Sequence, residues 1–457
     1  MTHAAGRDED LATVLETVRE RVTPDADERA AMRAVVDEVT ARAEAAVADL
    51  PVSARVLQVG STARNTWLAG DRDVDVFVAF PPDLDRERLE EYGLEVGHAV
   101  LPEGRQEFAE HPYVVGEVEG FDVDLVPCYD VGSATDIRSA VDRTPFHTAY
   151  LAERIDDALA GEVRLGKQFL TAIGCYGSDL RTRGFSGFLA ELLVLEYGSV
   201  EALLDAAADW HPPVHLDPED HGIASFDDPL IVVDPTDPER NVAAVLSAAN
   251  LARFQHYARD LLAAPRVALF EAEAPDPLDE AAVREHVRRR GTTPVAIRFD
   301  APDVVEDQLW PQLRKSLAGV ADELERRGFE VLRRTAMADE TGLLLLELSV
   351  AERPAIERHE GPPVHVREHA RRFFETYADD PAVYGPFVDG DRYVVERERE
   401  FRRAVGFLES EVLLDVGLGV HVAAALQDSY EVLAGEEIAT CADEFGVEFA
   451  RYFDPKP

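Results

Sequence analysis

The chain has 457 residues, of which 46% are hydrophobic and 30% charged, enough for about two to four globular domains. No apolar run is long enough for a membrane span, and the first eight residues have no apolar core, so neither a membrane span nor a secretory leader is expected. The three cysteines, Cys128, Cys175 and Cys441, are an odd number without metal-binding spacing, which argues against a disulfide framework and favours the cytosol. The 90 acidic and 46 basic residues give a net charge of −44, which at face value argues against a nucleic-acid partner.

Residues 1–148 predict a small mixed sheet with helices against one face. Thr23 and Pro24 resemble an N-cap and a first helical position, so a helix is predicted from there to about Leu50. A second helix is predicted at Arg86–Tyr92, ended by Gly93. The predicted strands are Ser53–Val59, Asp73–Phe80, Tyr113–Val118 and Phe121–Val126.

Residues 149–290 predict a helical domain. Ala149–Ile173 has the pattern of one amphipathic helix ended by Gly174, and Gly187–Tyr197 is almost wholly apolar and is followed by Gly198. A third long helix is predicted at Asn241–Leu262.

Residues 291–457 predict a second mixed domain and complete an α+β fold class. A β-α-β-β order at its start suggests a ferredoxin-like unit. Its members are Val295–Phe299, Glu306–Arg327, Phe329–Met337 and Leu343–Val350. An insertion at about 355–400 is predicted to contain a helix at Val366–Tyr377 and a hairpin near residues 385–392, and Phe401–Phe453 is predicted to be mostly helical.

The most informative motif is a Gly-Ser turn followed by two spaced carboxylates. Gly60 and Ser61 would open a short helix whose free N–H groups suit an anion, and Arg64 follows on its first turn. Asp73 and Asp75 lie in an alternating strand, so both carboxylates face the same way and can share a divalent metal. A phosphate-binding turn beside a hard-metal site is typical of nucleotidyl transfer.

Two-metal catalysis needs a third carboxylate, and the strand Phe121–Val126 offers Asp122 and Asp124. The two share a face, so periodicity does not choose between them. Lys167 is a candidate phosphate ligand because the chain is almost free of lysine, and Tyr176 could stack on or hydrogen-bond a ligand. His147, taken alone, more often indicates a structural role, and a ligand role is the alternative.

These residues resemble the archaeal, class I CCA-adding enzymes, which are tRNA nucleotidyltransferases of the polymerase β superfamily. The first motif marks only the superfamily, whereas the later blocks in this order are specific to the family. The blocks are Gly60–Leu68, Asp73–Phe77, His111–Val114, Val123–Tyr129, Ser139–His147, Gly184–Leu189, Val233–Pro235, Arg240–Ala244 and Gly385–Val388. Thr62 stands where an aromatic residue is frequent in the family, and Asp73 stands where Glu is frequent.

The resemblance implies a catalytic head at 1–148, a nucleotide-binding neck at 149–290 and an RNA-binding body and tail at 291–457. It implies untemplated addition and repair of the tRNA 3′-terminal CCA from CTP and ATP with Mg²⁺, by a homodimer. Asp73, Asp75 and Asp124 would hold the metals, which resolves the ambiguity with Asp122. The nucleotide would contact Ser61, Arg64, His147, Lys167, Tyr176 and Arg240, the last of these helping to read the base. The tail, including Arg371 and Arg372, would lie along the acceptor stem and T arm.

The acidic charge then needs another explanation than the absence of RNA binding. A high-salt cytoplasm favours acidic, lysine-poor surfaces, and at about 1 M salt the Debye length falls to about 3 Å, so long-range repulsion of RNA is mostly screened. An acidic partner-binding surface is the alternative. The rival functions are a poly(A) polymerase, an inactive RNA-binding module on the same fold, and a nucleotidyltransferase that modifies a protein.

Overall fold

A computed structural model describes residues 10–222 and 225–457. Contacts along the chain divide it into two units, one ending at Glu273 and one running from Ala274 to Lys456. No helix in these described ranges is both long and apolar enough to cross a membrane.

The first unit begins with a five-stranded mixed sheet. Its strands are β1 (Arg55–Gln58), β2 (Asp73–Phe80), β3 (Arg105–Phe108), β4 (Pro112–Val118) and β5 (Phe121–Tyr129). The order is β1-β2-β5-β4-β3, in which β2 and β5 are parallel and every other neighbouring pair is antiparallel. The helices of this part are α1 (Leu11–Val22), α2 (Ala26–Ala48), α3 (Gly60–Ala63) and α4 (Arg86–Val100).

The alternation predicted for β2 is confirmed by its packing. Val74, Val76 and Val78 are buried in one core with residues of α2 and α4. The intervening residues, including Asp73 and Asp75, therefore point to the opposite face of the sheet. That face carries the candidate site.

Two helix boundaries predicted in this part were wrong. The helix predicted from Pro24 begins at Ala26, because the side chain of Asp25 accepts hydrogen bonds from the N–H groups of Asp27 at 2.8 Å and Glu28 at 2.9 Å and caps it. Gly93 does not end α4 but lies inside it, where a Cβ would approach Pro127 to 2.7 Å. Glycine there allows close helix–sheet packing.

The rest of the first unit is mainly helical and surrounds a large apolar core. Its helices are α5 (Thr144–Ala152), α6 (Asp157–Ala172), α7 (Gly187–Tyr197), α8 (Val200–Ala208) and α9 (Ala248–Ala263), with short 3-10 helices at Ala140–Arg143 and Val267–Phe270. Its strands β6 (Val214–Leu216), β7 (Leu230–Asp234) and β8 (Asp237–Asn241) form a small sheet. The prediction for α7 is confirmed, including its end at Gly198, which is left-handed at φ 79°.

Two other helix predictions in this region were wrong. The single helix predicted at Ala149–Ile173 is two helices, because Asp156 caps a new start by accepting from the N–H of Leu159 at 2.9 Å. The helix predicted at Asn241–Leu262 begins only at Ala248, capped by Ser247, while Asn241 ends a strand. In both cases a short polar side chain that hydrogen-bonds to the nearby backbone starts a new helix inside a segment whose apolar residues keep a helical period.

The second unit contains two sheets. The first has the order β10-β11-β9-β15 and the second the order β12-β14-β13. Its strands are β9 (Thr293–Asp300), β10 (Glu330–Ala338), β11 (Thr341–Val350), β12 (Ile356–Pro363), β13 (Val383–Asp389), β14 (Arg392–Glu398) and β15 (Glu431–Ala434). Its helices are α10 (Glu280–Arg290), α11 (Glu306–Arg326), α12 (Arg367–Tyr377), α13 (Ala404–Leu408), α14 (Val420–Asp428) and α15 (Ala442–Phe453), with 3-10 helices at Glu411–Asp415 and Gly435–Cys441.

The predicted β-α-β-β order of β9, α11, β10 and β11 is confirmed, as are the inserted helix and hairpin. The segment Phe401–Phe453 contains a strand that its largely helical pattern did not predict. This strand, β15, pairs antiparallel with β9 and completes the larger sheet. Four residues are too few to establish a period of two, so only the long-range pairing reveals it.

Candidate nucleotidyl-transfer site

The parallel pairing of β2 and β5 brings the predicted carboxylates together. Its register places Asp75 opposite Asp124 and Asp73 opposite Asp122. Asp75 and Asp124 are partly buried, whereas Asp73 and Asp122 are exposed. The residue directly beside Asp75 is therefore Asp124, one of the two candidates that the strand period left open.

The turn before α3 lies against the same carboxylates. The N–H of Val59 donates to the carbonyl oxygen of Asp75 at 3.1 Å. Gly60 has a left-handed φ of 73°, and a Cβ added to it would lie 2.0 Å from Oδ2 of Asp75. Only glycine satisfies both conditions, so the sequence Gly60-Ser61 follows from the close approach of backbone and carboxylate. Ser61 lies in the first turn of α3, where its carbonyl accepts from Thr66 at 3.0 Å.

Burial and neighbouring carboxylates raise the pKa values of Asp73, Asp75 and Asp124. The pKa of Asp124 is raised to about 6, first by burial and then by the charges of Asp75, Glu107, Asp73 and Asp122. Burial and the charge of Asp73 raise the pKa of Asp75, although Arg64 opposes the rise. The pKa of Asp73 is raised by burial and by Asp71 and Asp122. The site therefore concentrates negative charge that a cation would neutralise.

The chemistry of these donors fits a magnesium ion. All three are carboxylate oxygens, which hard divalent cations prefer. Among the residues that the structure describes, no three His, Cys, Asp or Glu side chains are already gathered into a ligand cluster.

Asp124→Asn should be more stable than the wild type when no metal is present. A carboxyl whose pKa is raised by folding contributes stability below its unfolded pKa of 3.8, and this contribution is lost as the pH rises through the folded pKa of about 6. We expect the variant to melt at a higher temperature at pH 7 in EDTA and high KCl, with the difference shrinking as the pH falls to 4. Thermal unfolding from pH 4 to 8 measures it, and a variant that is less stable throughout would contradict the electrostatic account.

Arg64 and Lys167 meet on one buried carboxylate that sequence reasoning missed. Nε of Arg64 lies 2.8 Å from Oε2 of Glu191, and Nζ of Lys167 lies 2.8 Å from Oε1. The side chains of Arg64 and Lys167 are 8% and 4% exposed, and Glu191 is fully buried. Tyr176 lies nearby, and its pKa is raised by burial and by the charges of Glu191, Asp71 and Asp73. The signal for Glu191 was a single acidic residue in the middle of an apolar helix.

His147 and Arg240 meet on a second buried carboxylate. Nε2 of His147 and Nη1 of Arg240 each lie 2.8 Å from Oδ2 of Asp234. Burial alone would raise the pKa of Asp234, but hydrogen bonds from His147 and Thr236 bring it well below the usual range. Burial lowers the pKa of His147 against the opposing effect of Asp234, so the imidazole favours its neutral form. Sequence reasoning assigned no role to Asp234.

The helix α7 connects these two clusters. Phe188 stacks on His147 with ring centroids 3.8 Å apart, and Glu191 follows one turn later. Arg64 also donates from Nη1 to Thr148, the neighbour of His147, at 3.1 Å.

Arg240 lines a cavity of about 860 Å³ together with Arg143, Asp237 and Phe226. All nine predicted residues lie in the first unit, in three groups: the carboxylates beside Gly60 and Ser61, the residues around Glu191, and the pair on Asp234. Of the nine, only Arg240 lines the cavity.

Three protein families match successive parts of this chain. Residues 41–147 match the nucleotidyltransferase domain, residues 161–271 the second domain of tRNA nucleotidyltransferase, and residues 290–435 the C-terminal domain of the CCA-adding enzyme. The first match contains the carboxylates and the Gly60-Ser61 turn. Residues 41–147 are therefore similar to a nucleotidyltransferase domain.

Similarity to individual proteins extends over almost the whole length. The CCA-adding enzyme of Haloarcula marismortui is 65% identical over 98% of this chain and 100% of its own length. That of Halorubrum lacusprofundi is 60% identical over 98% of this chain and 100% of its own. The solved structure of E. coli MS115-1 CdnC with ATP is 17% identical to this chain, with a TM-score of only 0.45. The match covers 58% of this chain and 96% of the CdnC chain. The chain belongs to the archaeal CCA-adding enzymes, the tRNA nucleotidyltransferases that the sequence motifs indicated.

Proposed function

We propose that this chain builds and repairs the 3′-terminal CCA of tRNA by transferring CMP, CMP and AMP in turn from CTP and ATP, with release of pyrophosphate and without a nucleic-acid template. The observation that carries the proposal is the full-length likeness to CCA-adding enzymes, together with the carboxylates that β2 and β5 hold beside Gly60. The 3′-hydroxyl of tRNA attacks the α-phosphorus in line, and positioning supplies most of the catalysis.

Asp73, Asp75 and Asp124 would hold Mg²⁺. When bound, the metal supplies activation of the 3′-hydroxyl and charge neutralisation on the leaving pyrophosphate. The fit of the site rests on its all-oxygen donors and on their pKa values, which burial raises first and neighbouring carboxylates raise further. Asp73, the most exposed of the three, has the most freedom to adjust to the ion.

The remaining site residues divide between the triphosphate and the rest of the nucleotide. Ser61, Arg64 and Lys167 lie around the Gly60 turn and would offset the charge of the triphosphate. Tyr176 would contact the sugar or phosphates. The neutral imidazole of His147 donates from Nε2 to Asp234, so its Nδ1 would accept a hydrogen bond from a hydroxyl of the sugar. Arg240 lines the cavity and would help to read the incoming base, held in place by Asp234.

The domain roles follow the three family matches. We assign catalysis to residues 1–148, nucleotide binding to 149–290, and binding of the acceptor stem and T arm to 291–457, including the tail at about 355–400. The order β15-β9-β11-β10 of the larger sheet in the second unit supports a ferredoxin-like body. RNA contact there would rest on shape and on close arginine–phosphate pairs.

Three properties of the whole protein complete the proposal. The charge of −44 and the likeness to haloarchaeal enzymes support adaptation to high salt. The resemblance to its family supports a homodimer. The three cysteines are buried and unpaired, which supports a reducing cytoplasm.

The choice of RNA tests this function. At high KCl with Mg²⁺, the protein is expected to add labelled C to a tRNA that lacks CCA, and to leave an unstructured RNA with the same 3′ nucleotide unextended. Both RNAs are assayed with CTP alone, ATP alone and the mixture. Addition of A alone to either RNA would instead indicate a poly(A) polymerase, and binding of tRNA without any addition would indicate an inactive RNA-binding module.

A further inference from the structure

Glu191 is a charged residue among buried apolar residues. It lies in the middle of α7 with a fully buried side chain, and its neighbours Ala190 and Leu192 are buried apolar residues. A carboxylate removed from water is costly unless cations and hydrogen-bond donors replace the solvent. Its place among the buried apolar residues of α7 calls for a reason beyond packing.

Both oxygens of this carboxylate contact residues of the candidate site. Oε1 accepts from Nζ of Lys167 at 2.8 Å and from the hydroxyl of Thr66, and Oε2 accepts from Nε of Arg64 at 2.8 Å. Lys167 also donates to the carbonyl oxygen of Thr66 at 3.2 Å. The carboxylate therefore ties α6 and α7 to the segment that follows the Gly60 turn. Its pKa would be raised by burial, but Lys167 and Arg64 lower it, so it is ionised.

The contacts also fix the direction of the Arg64 guanidinium. Nε is held by Glu191, and Nη1 donates to Thr148 at 3.1 Å. A guanidinium is planar, so two anchored nitrogens determine where the third points. Arg64 and Lys167 carry two positive charges against the one negative charge of Glu191, and Arg64 also acts electrostatically on Asp75, whose pKa it lowers.

We infer that Glu191 is a positioning residue for the triphosphate: without contacting the nucleotide, it aims Arg64 and holds Lys167 beside the Gly60 turn. This inference rests on the proposed assignment of Arg64 and Lys167 to the triphosphate. Glu191 itself is fully buried and acts only through these two side chains.

Glu191→Gln tests the inference in the full-length protein. The amide keeps the shape but removes the charge and replaces one acceptor by a donor that faces a cation. We expect the KM for CTP and for ATP to rise about tenfold, in line with the loss of a charged hydrogen bond, while kcat at saturating nucleotide changes by less than about threefold. The Kd for tRNA should stay unchanged.

Glu347→Gln is the matched control. Glu347 is 1% exposed and is also held by an arginine, since Arg290 donates to it at 2.5 and 2.9 Å, but it lies in the second unit. Both variants should lower the melting temperature, and only Glu191→Gln should raise the nucleotide KM. Equal effects of the two on KM would mean that Glu191 acts through stability alone, which would overturn the inference.

A double-mutant cycle tests the positioning role of Glu191 separately from the proposed triphosphate role of Arg64. In an Arg64→Ala background, Glu191→Gln should raise the KM by less than the tenfold expected in the wild type, because, of its two contacts with cations, only the one with Lys167 is left to lose. An Arg64→Ala variant with a normal KM would refute the triphosphate role of Arg64. An elevated KM in Arg64→Ala with a normal KM in Glu191→Gln would refute only the positioning role of Glu191.

If Glu191→Gln does not fold, Thr148→Val provides a second test, because it removes the other anchor of Arg64. This variant should raise the KM about threefold, and an unchanged KM would count against the inference.

Discussion

Asp75→Asn is expected to lower the rate of CMP and AMP addition by at least about a thousandfold while the protein stays folded and binds tRNA. Asp75 lies at the centre of the site, opposite Asp124 in the sheet and against the backbone of Gly60. The amide removes a negative charge that the metal needs, and it presents an N–H group where an oxygen ligand is required. Because burial and Asp73 raise the pKa of Asp75, its neutralisation should not destabilise the metal-free fold. Single-turnover addition to a tRNA lacking CCA measures the rate.

Asp122→Asn is the matched control for this substitution. Asp122 lies on the same face of β5 and opposite Asp73, but it is exposed and beside the end of the strand. Its loss should change the rate by less than about threefold, as is usual for an exposed surface substitution. A severe defect in Asp122→Asn with little effect of Asp124→Asn would reverse the choice of the third carboxylate. An Asp75→Asn variant as active as the wild type would refute the metal site altogether.

Gly60→Ala is expected to lower kcat about a hundredfold, because a displacement of about 1 Å in a positioned group can cost that much. The new Cβ would lie 2.0 Å from Oδ2 and 2.9 Å from Cγ of Asp75, so either the turn or the carboxylate must move. Alanine is also strained at a φ of 73°. Both effects act on the contact between the phosphate-binding turn and the metal ligand, and single-turnover rates with saturating Mg²⁺ and nucleotide would reveal them.

Gly70→Ala is the control that separates backbone strain from the steric clash with Asp75. Gly70 has a left-handed φ of 88°, yet none of the residues that the structure describes has an atom within 4 Å of the position where its Cβ would be. The two variants therefore share the backbone cost, and only Gly60→Ala displaces Asp75. Similar losses of melting temperature with very different kcat values are expected, whereas equal kcat values would show that the contact with Asp75 is not required.

The sequence alone was sufficient to predict the parts of this site that depend on local pattern. The alternation of valine and aspartate in β2 predicted a strand with Asp73 and Asp75 on one face, and the packing of Val74 and Val76 agrees. The choice of Asp124 over Asp122 did not follow from periodicity, since both share a face. Family resemblance selected Asp124, and the pairing register with Asp75 gives a physical reason to favour it.

The carboxylates that hold the nucleotide-binding side chains could not be predicted, because their pairings span long separations in the chain. Arg64 and Glu191 are 127 residues apart, and His147 and Asp234 are 87 apart. No local period reports such contacts. Lys167 was singled out because the chain has so few lysines, but its burial against Glu191 depends on the packing of α6 on α7. The first residues of α2 and α6 were also predicted wrongly, but here the cause is local. Asp25 and Asp156 cap these helices through hydrogen bonds to the nearby backbone, and hydrophobic periodicity does not report such bonds.

The sequence of the nucleotides that this protein adds tests the account most directly. A tRNA lacking CCA is incubated at high KCl with Mg²⁺ and all four ribonucleoside triphosphates, and the new 3′ ends are sequenced. The account predicts that extension by wild-type protein ends in a single CCA and then stops, and that Asp75→Asn adds nothing. A run of A residues, an end of mixed sequence, or unextended tRNA with folded wild-type protein would contradict it.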